Sequence, residues 1–259
     1  MSENSYQMNV SRDDFSKLLM LLGVFENACT DCDIKGWKFR CRSNDRQAVI
    51  SMDLNGILEN NDFVFSLIKN KVALMRSFEL DENIQVEDKT IRIESNESNY
   101  EIRDPFSRIV FRKPAQRYID NQFITDDDFA GMTQISEDNL LFTCNINNYI
   151  KRRISNIALG FETDHIDCTI SEGKAAISVR RDNKEDTSNV INDITLNRDV
   201  GTKYFRMIAL PFVIDIAADL QINCYTTSTN DVYFCKFSQT FFGIPIIIYT
   251  RVKVTNSNS

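Results

Sequence analysis

Residues 10–25 run Val10-Ser-Arg-Asp-Asp-Phe-Ser-Lys-Leu-Leu-Met-Leu-Leu-Gly-Val-Phe25. Ser11 offers a side-chain oxygen where a helix begins, and Asp13 and Asp14 place negative charge in its first turn. Phe15, Leu18, Leu19, Leu22 and Phe25 then recur at helical spacing. Gly23 weakens the last turn. Gln7 to Val10, just upstream, reads as a short strand, so the chain opens strand–helix.

Working outward, Cys29 to Ile34, Trp37 to Arg42 and Ala48 to Leu54 read as strands, with turns at Lys35-Gly36 and Asn44-Asp45. Phe63 to Ile68 is a further strand. Lys69 to Leu80 is a helix with Val72, Met75 and Phe78 on one stripe. Ile84 to Glu87, Thr90 to Glu94 and Asn99 to Arg103 complete the half, and Asp104-Pro105 stops it. Phe106 to about Ile135, with Pro114, Gly131 and Asp126-Asp127-Asp128, reads as a connector crossing a surface.

The second half repeats this order. Leu140 to Asn145 is a strand. Asn147 or Asn148 caps a helix from about Tyr149 to Leu159, with Ile150, Ile154 and Ile157 on its apolar stripe. Strands follow at His165 to Ile170, Ala175 to Arg180, Val190 to Leu196 and Tyr204 to Leu210. Pro211 to Ala218 is a short helix with Pro at its start. Leu220 to Tyr225, Val232 to Phe237 and Ile244 to Val252 close the chain. The corresponding helices are offset by roughly 135 to 140 residues. Such a period means a duplicated domain rather than a solenoid. The expected fold is therefore α+β: two domains, residues 1–125 and 126–259 with the connector from about 106. Each is an antiparallel sheet with two helices on one side.

Composition narrows the function. The 259 residues carry a net charge of −7, which argues against a surface coated for nucleic acid. One histidine, His165, removes most histidine catalysis and most zinc sites. Seven cysteines, an odd number, fit a reduced intracellular protein. No apolar run is long enough for a membrane helix, and Met1 to Val10 lacks the apolar stretch of a signal peptide.

The positive charge is unevenly placed. Lys151, Arg152 and Arg153 sit in a row on one helix, Lys69, Lys71 and Arg76 on another, and Arg12 and Lys17 on the first. Acidic residues gather instead in turns, strands and the connector. Any amphipathic helix has a charged outer face, but three biased alike in an acidic chain point to one positive helical face following phosphates without reading bases.

Other signals carry less. Cys29-Thr-Asp-Cys32 has CxxC spacing, but on a strand its cysteines face opposite sides. Asp126 to Asp128 reads as a solvated acidic loop. Gly201 and Gly243 are isolated, with no phosphate loop. No Ser-His-Asp set assembles, so no enzyme activity, cofactor or metal site is expected.

On this element order, the chain resembles the sliding clamp family, in particular the two-domain clamps of tailed phages and the proliferating cell nuclear antigen. The likeness rests on the opening Val10 to Leu19, on the unit Asp62 to Leu80 followed by hairpin strands, and on the tight turn Glu172-Gly173-Lys174. It implies a ring of three chains and six domains around a hole lined by helices, with duplex DNA threaded through. As a processivity factor it would tether a DNA polymerase and be placed by a clamp loader. It puts Arg12, Lys17, Lys69, Lys71, Arg76, Lys151, Arg152 and Arg153 at or near the hole; Pro211 to Ala218, with Asp215 and no base, adds no positive charge. Partner peptides would dock beside the connector, where Ile109, Phe111, Tyr118, Ile119 and Phe123 are candidates by location. Subunits would pair through edge strands, with Ile109 to Arg112 and Cys168 to Ile170 as competing choices. The implied location is cytoplasmic, the host cytoplasm if the chain is viral. The alternatives are a monomeric clamp-fold processivity factor, a clamp-like transcription coactivator, and a non-enzymatic structural or assembly protein.

Overall fold

The computed structural model of the chain describes residues 6–25, 31–35, 37–43, 47–58, 64–68, 76–78, 90–96, 98–112, 124, 126–133, 135–180, 187–198, 201–226 and 233–255. Lys69, Lys71, Tyr118, Ile119, Phe123, Cys29, most of the helix expected at Lys69 to Leu80 and the strand expected at Ile84 to Glu87 lie outside them. The chain divides into two compact units: residues 1–44 with 51–124, and residues 45–50 with 125–259.

The first unit opens as the sequence predicts. Strand β1 (Tyr6–Ser11) leads directly into helix α1 (Arg12–Phe25). The Ser11 hydroxyl accepts the Asp14 N–H at 3.1 Å and donates to the Asp14 carboxylate at 2.7 Å, satisfying one of the helix's orphan donors. Phe15, Leu18, Leu19, Leu21, Leu22 and Phe25 are all buried. Gly23 does not end the helix. It makes room: a Cβ there would meet the Arg76 guanidinium at 2.7 Å.

Two antiparallel ladders follow. One has the order β1-β6-β7-β8, with β6 (Thr90–Ser95), β7 (Asn99–Arg103) and β8 (Arg108–Arg112). Ile91, Ile93, Tyr100 and Ile102 alternate inward along it, as one buried face requires. The other runs β5-β2-β3-β4, with β2 (Asp31–Lys35), β3 (Lys38–Arg42), β4 (Ala48–Asp53, whose residues up to Ile50 are counted with the second unit) and β5 (Val64–Ile68).

The second unit repeats both orders. Strands β9 (Leu140–Ile146), β14 (Leu220–Thr226), β15 (Tyr233–Phe241) and β16 (Ile244–Thr255) give β9-β14-β15-β16. Strands β10 (His165–Ser171), β11 (Lys174–Arg180), β12 (Thr187–Leu196) and β13 (Lys203–Ile208) give β13-β10-β11-β12. Two long strands turn the corners. The first part of β12 pairs with β11, but Ile194 to Leu196 pair with β9. Likewise Ile244 to Val252 pair with β15, and Lys253 to Thr255 with β13. Pro245 sits at the second residue of β16, where a missing N–H disturbs the ladder least.

Three expectations are corrected. The connector contains a strand, β8, and a helix, α2 (Asp126–Thr133), whose Phe129 meets Tyr249 edge-on at 5.4 Å. The expected helix Pro211 to Ala218 is one turn, α4 (Leu210–Val213). Beyond it Ile214 and Ile216 are buried while Asp215 and Ala217 are exposed. That alternation of period two suits extended backbone, and Ile214 is extended at φ −60°, ψ 125°. Finally, Cys168 to Ile170 cannot be an edge, because β10 pairs with β11 on one side and β13 on the other.

Candidate nucleic-acid interface

Helix α3 (Asn148–Phe161) carries the clearest cationic surface. Asn147 caps it: its side chain accepts the Ile150 N–H at 2.9 Å, while the Asp219 carboxylate accepts the Asn148 N–H at 2.8 Å. At the other end Glu162 turns left-handed at φ 54° and closes the helix through its N–H. Tyr149, Arg152, Arg153, Asn156 and Gly160 follow i, i+3, i+4, i+7 and i+11 and are all exposed. Neither arginine has an ion-pair partner among the described residues.

Lys151 does not belong to that face. The buried stripe is Lys151, Ile154 and Ala158, with Ile150 and Ile157 half-buried beside it. Lys151 is 2% exposed. Its ammonium donates to the Ile216 carbonyl at 2.8 Å and to the Gln239 side-chain oxygen at 2.9 Å. Burial pushes its pKa down to about 8, against the favourable charge of Asp215 and with help from Arg152. The reason is local. The extended run after Val213 turns the Ile216 carbonyl toward α3, where it accepts the Lys151 ammonium in addition to the Ala218 N–H at 2.9 Å. Lys151 is thereby removed from the phosphate-facing set.

In the first unit, α1 presents no net positive face. Arg12 donates to the Asp104 carboxylate at 2.6 Å and to the Phe78 carbonyl at 3.0 Å, with the Asp104 side chain only 2% exposed. Burial raises the Asp104 pKa, but the hydrogen bonds from Arg12 and the Phe106 and Ser107 amides outweigh it, and the net shift is down. Arg12 therefore fastens the turn between β7 and β8 to the start of α1. Lys17 is half-exposed and bonded to Asp14 at 2.9 Å. The Ser11 hydroxyl, and after it that bond, hold the Asp14 pKa down. Arg76 is exposed in a short 3-10 turn (Arg76–Phe78), against α1 at Gly23. Phe78 of the same turn stacks edge-on against Phe15 at 6.1 Å.

The structure thus leaves Arg76, Arg152 and Arg153 open and assigns Arg12 and Lys151 to internal contacts. Sequence reasoning did not single out Tyr149 and Asn156 as partners of the arginines; their i, i+3, i+4, i+7 spacing was the available signal.

The expected docking residues fare differently. Phe111 is buried, paired in register with Tyr100, so it belongs to the sheet's packed face. Ile109, opposite Ile102, is half-buried. Neither forms an open apolar pocket. The reverse face of β8 shows Val110, 48% exposed. Among the described residues β8 ends its ladder, with β7 on one side only. The other face of this ladder is a charge lattice. Glu94 lies opposite Glu101, and Arg103 bonds Glu94 at 2.7 Å while Arg108 bonds Glu101 at 2.6 Å. These arginines are spent on neighbouring acids.

No protein-family model matches the chain, and no curated protein matches it in sequence. Its fold matches solved structures over nearly the full length of both chains. The proliferating cell nuclear antigen of Thermococcus kodakaraensis is 10% identical, with a TM-score of 0.61, covering 96% of this chain and 100% of that one. The PCNA2–PCNA3 complex of Sulfolobus tokodaii gives 12% identity and 0.58, covering 95% and 99%. The A. fulgidus PCNA, solved with the C-terminal region of FEN-1 bound to it, gives 9% and 0.57, covering 98% and 99%.

Proposed function

We propose that this chain, which has the fold of the sliding clamps, is itself a DNA sliding clamp: three chains form a ring that encircles duplex DNA and tethers a DNA polymerase. The observation that carries this is the full-length likeness of a two-unit chain to two-unit clamps, both sheet orders being repeated. The exposed Arg152 and Arg153 on α3 support the DNA contact, in a chain of net charge −7. Such contacts to phosphates are sequence-independent and salt-sensitive. They can be few because a closed ring holds by topology.

Ring closure is assigned to two strand lengths. Along β12, Thr187 to Asp193 pair with β11, and β9 joins only from Ile194, so among the described residues their other side is unpaired. Strand β8 ends its own ladder. Antiparallel pairing of β8 in one copy with β12 in the next would cover both edges. Such partners as a polymerase or a clamp loader would act on the assembled ring.

The test is topological. The protein is assembled with a clamp loader on a primed circular duplex, isolated by gel filtration, and the circle is then cut. A clamp stays on the circle in moderate salt and leaves when the DNA is linearised. Equal retention on circular and linear DNA would contradict encirclement and favour a monomeric factor held by its basic face.

A further inference from the structure

A cleft of about 440 Å³ opens between α3 and residues 210–216. The single turn of α4 packs against α3 and forms part of the wall, and the extended chain from Ile214 forms the rest. Leu159, Phe212, Val213 and Ile214 supply apolar wall, and Ser155, Asn156 and Asp215 supply polar edges. Arg152 stands on the α3 side, and Lys151 also lines the cleft. Apolar walls, polar edges and an exposed arginine surround a half-open volume inside the range of small-ligand pockets.

Resting on the DNA reading above, we propose that this cleft takes one unpaired nucleotide of a DNA strand lying along α3. The chemistry divides by side. Arg152 meets the phosphate. Leu159 and Val213 flank the planar ring, and Ser155, Asn156 and the Asp215 carboxylate meet its hydrogen-bonding edge. The carboxylate would repel a phosphate placed against it, which fixes which end goes where. Tyr149, 76% exposed one turn before Arg152, is a stacking platform for the neighbouring base. Intact duplex presents only its backbone to such a face, so the cleft is filled only where pairing is absent. The site therefore distinguishes a junction between duplex and single strand from uniform duplex.

The test compares a labelled duplex with the same duplex bearing a short single-stranded tail, by fluorescence anisotropy at fixed salt. The tail is expected to tighten binding roughly 5-fold or more, the size of one base stack. Ser155→Trp, which fills the cleft, should erase that gain and leave blunt-duplex binding unchanged. A tail bearing 5-iodouracil provides a readout on the unmodified protein: photocrosslinks are expected at Tyr149 or at residues 152–159 or 212–216. Equal affinity for blunt and tailed duplex, or crosslinks confined elsewhere, overturns the proposal and leaves the clamp reading standing. Saturation by free deoxyadenosine monophosphate with no gain from the tail overturns the strand as the source. Failure of the tailed duplex to bind overturns the proposal, and only loss of retention on the loaded circle overturns the clamp reading.

Discussion

Lys151 offers a quantitative test of how this chain uses its charges. Its folded pKa of about 8 lies well below the ordinary lysine value of 10.5. Each unit corresponds to about 1.4 kcal/mol, so holding the ammonium inside costs about 3–3.5 kcal/mol at neutral pH. Between about pH 8 and pH 10.5 the folded protein has released that proton while the unfolded chain still holds it. The unfolded state then binds more protons, and stability rises with pH. The neutral amine keeps two donors for Ile216 and Gln239. In Lys151→Met the Gln239 oxygen loses its donor and the Ile216 carbonyl keeps only the Ala218 N–H, a cost of about 2–4 kcal/mol together, but the burial cost disappears as well. The two effects nearly offset at neutral pH, and only the lost bonds remain at high pH. Urea unfolding of both proteins across about pH 7 to 10 should therefore show wild type gaining about 2 kcal/mol over the variant. Other lysines, tyrosines and cysteines titrate in both proteins and cancel in the difference. Parallel curves would mean a solvated ammonium, and would return Lys151 to the outer face with Arg152 and Arg153.

Further outcomes follow from other contacts. Arg152→Ala and Arg153→Ala should each weaken duplex binding and flatten its dependence on log salt by roughly one unit of slope, whereas Lys151→Met should leave the slope unchanged; binding measured over a salt series separates them. Arg12→Met should destabilise the protein by about 3 kcal/mol, because it leaves the nearly buried Asp104 carboxylate unpaired. Since Arg12 holds the Asp104 pKa below 3.8, that contribution is present above the unfolded value and fades as pH falls through the folded one, so the two unfolding curves should converge in acid. Val110→Lys places a charge on the edge strand β8, where Val110 is exposed, and should lower the mass in solution without changing the monomer's circular dichroism.

Much of the fold was legible because the apolar spacing is regular. Phe15 to Phe25 reads as a helix at once, and tertiary packing buries that same set. The strand–helix–strands order repeated in the second half, which is what made the duplication visible. The misreadings have physical causes. Arg-Ile-Val-Phe-Arg at 108–112 is short, bracketed by arginines and preceded by Asp-Pro, and reads as linker until β7 is beside it. Pro211 signals a helix start truthfully, but the alternating Ile214-Asp-Ile216 ends it within a turn. For the site, a lysine beside two arginines reads as three surface cations. Only the placement of Ile216 and Gln239 makes the first of them internal. Arg12 is the same case, since its partner Asp104 is 92 residues away. Sequence shows charge; it does not show which charges already have partners.

Light scattering on a sizing column, over a wide range of protein concentration, tests the central claim most directly. A clamp of three 29.9 kDa chains should elute with a mass of about 90 kDa that holds on dilution. A mass of one chain at every concentration would contradict a self-standing ring.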